Sequence, residues 1–338
     1  MEEFNSVVQS LQQPKAYPHL VNDLKTITTA VSVVFLTGPY AYKINKPMNL
    51  GFLDFSTLDK RKDQCEKEVR YNSLASPELY LGAIAITREQ DGSIVINGKG
   101  KVIEHGIKMK QVDSNATMNH LLQKEKVTSH HIKTLAQKII QFHRKAPSDA
   151  EISSYGNVET VQFNWDENFS QTEKYVPEII SREDYQFMQD KINHFIHKNQ
   201  SLFTQRVLKG SIKHCHGDFH SGNVFIVPEG SYIFDGIVFN MRFPCSDVIA
   251  EIAFMAMDLE FHNREDLSHE FIAEYQRLSG DNDIPLLLDF YKCYRAYIRA
   301  KINCFTSDDK NISTEERQNT IEKAQAYFAL AKRYAERL

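Results

Sequence analysis

"HCHGDFHSGNVFI", residues 214–226, gathers His214, His216, Asp218, His220 and Asn223 within ten positions. Two chemistries compete for such a crowd: a transition-metal site built on the histidines, or a phosphoryl-transfer loop built on Asp218 and Asn223. The flanks bear on the choice. Downstream, "VFIV" and "SYIFD" lie either side of "PEG", which predicts a β-hairpin and puts a second carboxylate, Asp235, one hairpin beyond the loop.

The metal reading rests on HxHxD, a zinc-type spacing seen in the metallo-β-lactamase hydrolases. In that signature a histidine directly follows the aspartate, whereas here Phe219 intervenes before His220. A catalytic zinc also needs further ligands from later loops, and the pairs His130 with His131 and His194 with His197 read as solvated helix residues. The phosphoryl-transfer reading uses what the zinc reading ignores. Asp218 and Asn223 are five apart, with Asp235 following the hairpin, the arrangement of the catalytic loop and metal-binding aspartate in protein-kinase-like enzymes. An aspartate on a rigid loop can take a hydroxyl proton. The asparagine oxygen and second carboxylate are hard ligands, suited to Mg²⁺ rather than zinc.

Working toward the N-terminus, "VSVVFL" (31–36) and "AYKIN" (41–45) are β-rich runs joined by "TGPY", a hairpin that puts Lys43 in its second strand. Ser56 followed by Asp59 forms a variant capping box, opening a helix that runs without Pro or Gly to Pro77 and carries Glu66 and Glu68. "LYLGAIAIT", "SIVING" and "EHGIKMKQV" read as three more strands. A strand lysine and a glutamate on the next helix are the phosphate-positioning pair of this class. Glu68 is preferred to Glu66, because its helix continues with Val69, Asn72 and Ala75 turned toward the sheet. From about residue 116 helical spacing dominates, as in Ile132, Leu135, Ala136, Ile139, Ile140 and His143, and again over 183–198, 246–260, 286–304 and 314–337.

The 338 residues are comfortable for two lobes with a cleft between them. A net charge of -4 gives no general attraction to nucleic acid or acidic membranes. Five dispersed cysteines without a CxxC pair fit a reducing, cytoplasmic setting. The N-terminus lacks a basic start and apolar block, and "DVIAEIAFMAMDL" carries three acids, so neither an export signal nor a membrane span is expected.

"HGDFHSGNVF" followed by "IFDG" resembles the HGDxxxxN motif and later metal-binding aspartate of the aminoglycoside phosphotransferase and choline-kinase-like group of small-molecule kinases. "VFLTGPYAYKINKPMNLGFLDFSTLDKR", "EVRYNSLASPELYLG" and "IFDGIVFNMRF" with "DVIAEIAFMAMDL" are similar, more narrowly, to bacterial aminoglycoside phosphotransferase-like proteins. Some of those carry an extra C-terminal ATPase domain, which is not expected here. The resemblance runs from about residue 15 to 305. It implies an α+β, bilobal protein-kinase-like fold, with residues 1–110 as a β-rich N-lobe and 111–338 as a mostly α C-lobe, and ATP and Mg²⁺ as cofactors. Asp218 would be the catalytic base, Asn223 and Asp235 the Mg²⁺ ligands, and Lys43 with Glu68 the pair on the α- and β-phosphates. Met109 would lie in the linker that meets the adenine, His216 would orient the loop, and Asp247 would cap a helix and brace the loop from behind. Arg295 or Arg299 is a candidate for binding an anionic substrate group or bracing Asp247.

Two departures stand out. No GxGxxG precedes "VSVVFL", so the turn "TITTA" would have to cover the phosphates with Thr28, Thr29 or Ser32 hydroxyls and backbone. Val238 stands where the group tends to have a glutamate. The expected activity is transfer of the γ-phosphoryl group of ATP to a hydroxyl of a small molecule. The alternatives are a nucleotide-binding pseudokinase and a His/Asp metallohydrolase. No activation-type segment or APE motif follows Asp235, which favours a small acceptor over a protein.

Overall fold

The computed structural model describes residues 2–338. In chain order its elements begin α1 (Glu2–Leu11), β1 (Lys25–Thr28), β2 (Ser32–Leu36), β3 (Tyr40–Asn45), α2 (Leu58–Ala75), β4 (Tyr80–Arg88), β5 (Ile94–Ile96) and β6 (Lys101–Lys110). There follow α3 (Met118–Gln123), α4 (Ser129–Lys145), α5 (Ala150–Ser154), α6 (Val158–Thr172), α7 (Arg182–Lys198) and α8 (Gln200–Leu208). Next come β7 (Ile212–His214), β8 (Val224–Val227), β9 (Gly230–Ile233) and β10 (Cys245–Asp247), then α9 (Val248–Phe261), α10 (Glu265–Ser279), α11 (Ile284–Ser307) and α12 (Thr314–Ala335).

The chain divides into two compact units. One is the chain up to Thr117 together with Asn223–Met241; the other is Met118–Gly222 with Arg242–Leu338. The expected boundary near residue 110 thus falls a few residues later, and the β8–β9 hairpin with its following loop groups with the sheet instead of the helices. Apolar packing explains this. Tyr232, Phe225, Val227 and Phe234 share a core with Cys65, Leu79, Tyr80 and Ile107 of the sheet unit.

In the sheet unit, six antiparallel strands run in the order β1-β2-β3-β6-β4-β5. Side chains alternate faces along a strand. Tyr42 and Ile44 therefore point to one side, where Phe35, Ile84 and Ile86 meet Phe4, Val7 and Leu11 of α1. Lys43 points to the other side, flanked by Val34 on β2 and Ile107 on β6. At Gly106 the strands approach so closely that a Cβ would lie 2.7 Å from the Lys43 carbonyl oxygen, so only glycine fits beside the lysine.

Two local expectations need correction. The cap of α2 is Thr57, which accepts the Lys60 N–H, while Ser56 bonds the Asp54 carboxylate instead. "TITTA" is only partly a turn: Lys25–Thr28 is an exposed edge strand, and the reversal falls at Thr29–Val31. Helix α1 was not anticipated, and its Phe4, Val7 and Leu11 stripe covers the sheet face opposite Lys43.

In the helical unit, α11 packs along α12 and α9, and α10 packs against α4. Helix α9 is buried on all sides from Val248 to Glu260, although it carries Glu251, Asp258 and Glu260. Buried carboxylates require partners. Glu260 has Lys292 and Tyr334, each at 2.5 Å, and the other two acids reach the loop that follows β7.

Candidate active site

In the sheet unit, Lys43 Nζ lies 2.9 Å from Glu68 Oε1 and 2.7 Å from Asp235 Oδ1. Glu66 faces away, exposed and near Lys62. Burial alone would lower the lysine pKa, yet Asp235 and Glu68 outweigh it and hold the ammonium well above its usual range. Burial, opposed by Lys43 and reinforced by Asp235, raises the Glu68 carboxyl. With all three ionised, one cation faces two carboxylates, and the Asp235 side chain remains 55% exposed while Glu68 is 4% exposed. The set carries excess negative charge on its exposed member, an oxygen donor suited to a hard cation.

Asn223 ends a short helical turn before β8, and its carbonyl accepts the Phe234 N–H at 3.0 Å, tying it to the residue before Asp235. Its side-chain oxygen and the Asp235 carboxylate form a donor set appropriate to Mg²⁺ in kind.

The β1–β2 turn is self-contained. Thr29 Oγ1 accepts the Ser32 N–H at 2.9 Å and lies 2.9 Å from Ser32 Oγ, so these hydroxyls are engaged within the turn. Thr28 ends β1, exposed. Ser32 is buried, on the same sheet face as Lys43 by its register with Asn45. Lys46, a cation not foreseen from the sequence, donates to the carbonyls of Thr29 and Ala30. Met109 lies within β6, opposite Ala41 and Tyr80, and the chain leaves the sheet after Lys110. There Gln111 N–H reaches Pro39 O at 3.1 Å, and its side chain accepts the Gly38 N–H.

In the helical unit, the loop after β7 is held through its backbone. Glu251 accepts the N–H of His216 at 2.7 Å and of Gly217 at 2.9 Å. Arg295, buried, donates to Gly217 O at 3.1 Å and to Ala250 O at 3.0 Å. Gly217 has φ +84°, and a Cβ there would sit 3.0 Å from Pro244 Cα, so this peptide is closed in on every side. Asp258 accepts the Ser221 N–H at 2.8 Å. Asp218 emerges from this frame with its side chain 35% exposed and its Oδ2 3.4 Å from His220 Nε2. Burial would raise its pKa, but the hydrogen bond and charge of His220, with Arg299 and His216 at longer range, keep the carboxyl well below its ordinary range.

The other expected residues lie around this loop. His216 is buried and supplies a backbone N–H to Glu251. Asp247 is the N-cap of α9, bonding the Ile249 N–H, and both of its oxygens pair with Arg206. The expected loop brace is instead Glu251, one turn on. Arg295 holds the loop from within the core and does not pair with Asp247. Arg299 is half-buried beside the Tyr327 ring, 5.7 Å from Cζ to the centroid, in the field of Asp218 and Asp258. Among the described residues, the cluster of zinc-type donors is His143, Cys215 and Glu251, which excludes the HxHxD histidines. Both Glu251 oxygens are already taken by loop amides.

No family model matches the chain. Uncharacterized proteins of Mycobacterium tuberculosis and Mycobacterium bovis are 28% identical to it over 276 residues, covering 82% of this chain and 54% of theirs. The chain thus spans about half the length of these curated relatives. Among solved structures, the GDP complex of aminoglycoside 2'-phosphotransferase-IIIa is 12% identical with a TM-score of 0.56, covering 97% of this chain and 99% of that one. Choline kinase from Cryptosporidium parvum is also 12% identical, with a TM-score of 0.57 over 99% and 96% of the two chains. A choline/ethanolamine kinase family protein from Mesorhizobium loti is 9% identical, with a TM-score of 0.52 over the whole of both chains. At such identities the likeness establishes the fold: the chain has the protein-kinase-like fold of the aminoglycoside phosphotransferases and choline kinases.

Proposed function

We propose that this protein is an ATP- and Mg²⁺-dependent phosphotransferase acting on a hydroxyl of a small molecule. The observation that carries the reading is the ion-paired set Lys43, Glu68 and Asp235, drawn from a strand, a helix and a loop far apart in sequence. Placing a second, exposed carboxylate on an already paired lysine adds little net stability, so the excess negative charge is better explained by a cation to be bound.

Lys43, kept protonated by its two carboxylates, binds the α- and β-phosphates, and Glu68 fixes its direction. Asp235 and Asn223 are the residues that would hold magnesium, whose contribution when bound is to neutralise phosphate charge. Asp218 orients the acceptor hydroxyl and receives its proton as the oxygen–phosphorus bond forms and the bond from the γ-phosphorus to ADP breaks. A carboxylate held at low pKa is a weak base. Such a base suits a transition state in which bond formation to the nucleophile lags and alignment does most of the catalysis. The buried charges behind the loop serve that alignment.

Similar solved structures are aminoglycoside, choline and choline/ethanolamine-family kinases. What carries over is the reaction class, with a small acceptor and no nucleic-acid partner. Val238 is buried, so the position where the group tends to have a glutamate adds no charge near Asp235. All five cysteines are buried and unpaired, and no helix among the described residues is long and apolar enough to cross a membrane. The buried, unpaired thiols support a cytoplasmic setting. The test is a screen of hydroxyl acceptors for ADP release by wild type, with Asp218→Asn as control. Acceptor-dependent release lost in the variant supports the proposal, and release unaffected by Asp218→Asn would refute it.

A further inference from the structure

Helix α2 and its C-cap Ser76 carry a buried polar stripe of which only Glu68 has an assigned role. Glu68, Asn72 and Ser76 follow one another at four-residue spacing and thus share a face, and they are 3%, 2% and 0% exposed. Each reaches the segment around Asp235 or its lysine. Glu68 takes Lys43, Asn72 Oδ1 accepts the Gly236 N–H at 2.7 Å, and Ser76 Oγ accepts the Ile233 N–H at 2.8 Å. Asn72 Nδ2 turns back to Gly236 O at 3.5 Å and to Glu68 O at 3.1 Å. From β4, the buried Tyr80 hydroxyl accepts the Asp235 N–H at 2.9 Å. The two consecutive amides at Asp235 and Gly236 are both captured by side chains.

Asp235 itself has φ +62°, in the left-handed region. A residue other than glycine stays there when its surroundings over-determine it. Attachment of the hairpin does not explain the captured amides, because Phe225, Tyr232 and Phe234 already anchor it in the apolar core. What the captured amides add is direction: they hold the Asp235 backbone so that its carboxylate projects beside Lys43.

We infer that Asn72 and Tyr80 are positioning residues for the divalent-cation site, holding Asp235 in its left-handed conformation. The inference rests on the phosphotransferase reading and adds to it two residues that need touch neither nucleotide nor metal. An amide suits position 72 because its oxygen accepts the Gly236 N–H while its nitrogen faces the carbonyl of the same residue.

The experiment is calorimetric titration of the whole protein with non-hydrolysable ATP and GTP analogues, with Mg²⁺ and with a chelator, for wild type, Asn72→Leu and Tyr80→Phe. Removing groups that orient a metal ligand weakens metal binding by about tenfold or more. Asn72→Leu is expected to cut the Mg²⁺-dependent gain in affinity about tenfold, and Tyr80→Phe about fivefold, with metal-free affinity unchanged in both. An equal loss with and without Mg²⁺, or no loss, overturns the inference while leaving the phosphotransferase reading intact. No Mg²⁺-dependent binding by wild type overturns both. Thermal melts report folding; if Asn72→Leu does not fold, Tyr80→Phe, which removes a single oxygen, decides alone.

Discussion

The two units each fix an acidic residue by gripping the peptide of a neighbouring glycine, but with opposite materials. In the sheet unit, Gly236 after Asp235 is held at its N–H and carbonyl by the neutral amide of Asn72. In the helical unit, Gly217 before Asp218 is held at its N–H by the Glu251 carboxylate and at its carbonyl by the Arg295 guanidinium. The neutral clamp lies beside the Lys43, Glu68 and Asp235 charges, where another ion would disturb their balance. The charged clamp lies in a core of apolar helices, where ionic hydrogen bonds are strong but removal of one partner is costly.

The largest expected effect separates chemistry from binding. Asp218→Asn should reduce phosphoryl transfer about 1000-fold with nucleotide affinity unchanged, measured by steady-state turnover and calorimetry. Nucleotide affinity falling in step would mean that the loop is not reserved for the acceptor. The contrast between clamps predicts stability next. Glu251→Gln places an amide NH₂ against a loop N–H, and Arg295→Met leaves the Gly217 carbonyl buried without its donor. Each should lower unfolding free energy by about 3 kcal/mol in urea titrations. Asn72→Leu should lose only about 1–2 kcal/mol. Equal losses would dissolve the distinction.

Smaller effects sharpen each side. Lys43→Met should weaken nucleotide binding about tenfold by deleting charge-assisted hydrogen bonds, and unchanged affinity would remove Lys43 from the phosphate site. His220→Ala acts on pH dependence. In the wild type the depressed Asp218 pKa keeps the base ionised well below neutrality. Loss of His220 removes the partner that favours the carboxylate, so the pKa rises and the acid limb of the pH–rate profile should move to higher pH. An unmoved limb, or a shift to lower pH, would show that His220 does not govern Asp218.

The sequence made much of this legible because the chemistry-bearing residues sit at fixed positions on recognisable elements. Lys43 lies in an alternating strand, Glu68 on a capped helix, and Asp218, Asn223 and Asp235 around a hairpin. The spacing even distinguishes Glu68 from Glu66, since only the former turns toward the sheet. Glu251 and Tyr80 escaped because they act on backbone atoms, and a backbone amide has no signature in sequence; Arg295 and Asn72 were singled out, but not for the backbone contacts they make. The three acids in "DVIAEIAFMAMDL" were the available signal: a helix that is otherwise apolar all round must partner its buried carboxylates. Strand β1 was hidden by being exposed along its length, with no alternation to mark it. Helix α1 was readable in the spacing of Phe4, Val7 and Leu11, at positions i, i+3 and i+7.

The central claim is that Lys43, Glu68 and Asp235 form a metal–nucleotide site. Its most direct test is the affinity of wild type and Asp235→Ala for a non-hydrolysable ATP analogue, with and without Mg²⁺. The account predicts that Mg²⁺ strengthens binding to wild type and that this gain disappears in Asp235→Ala. A gain of the same size in both proteins would contradict it.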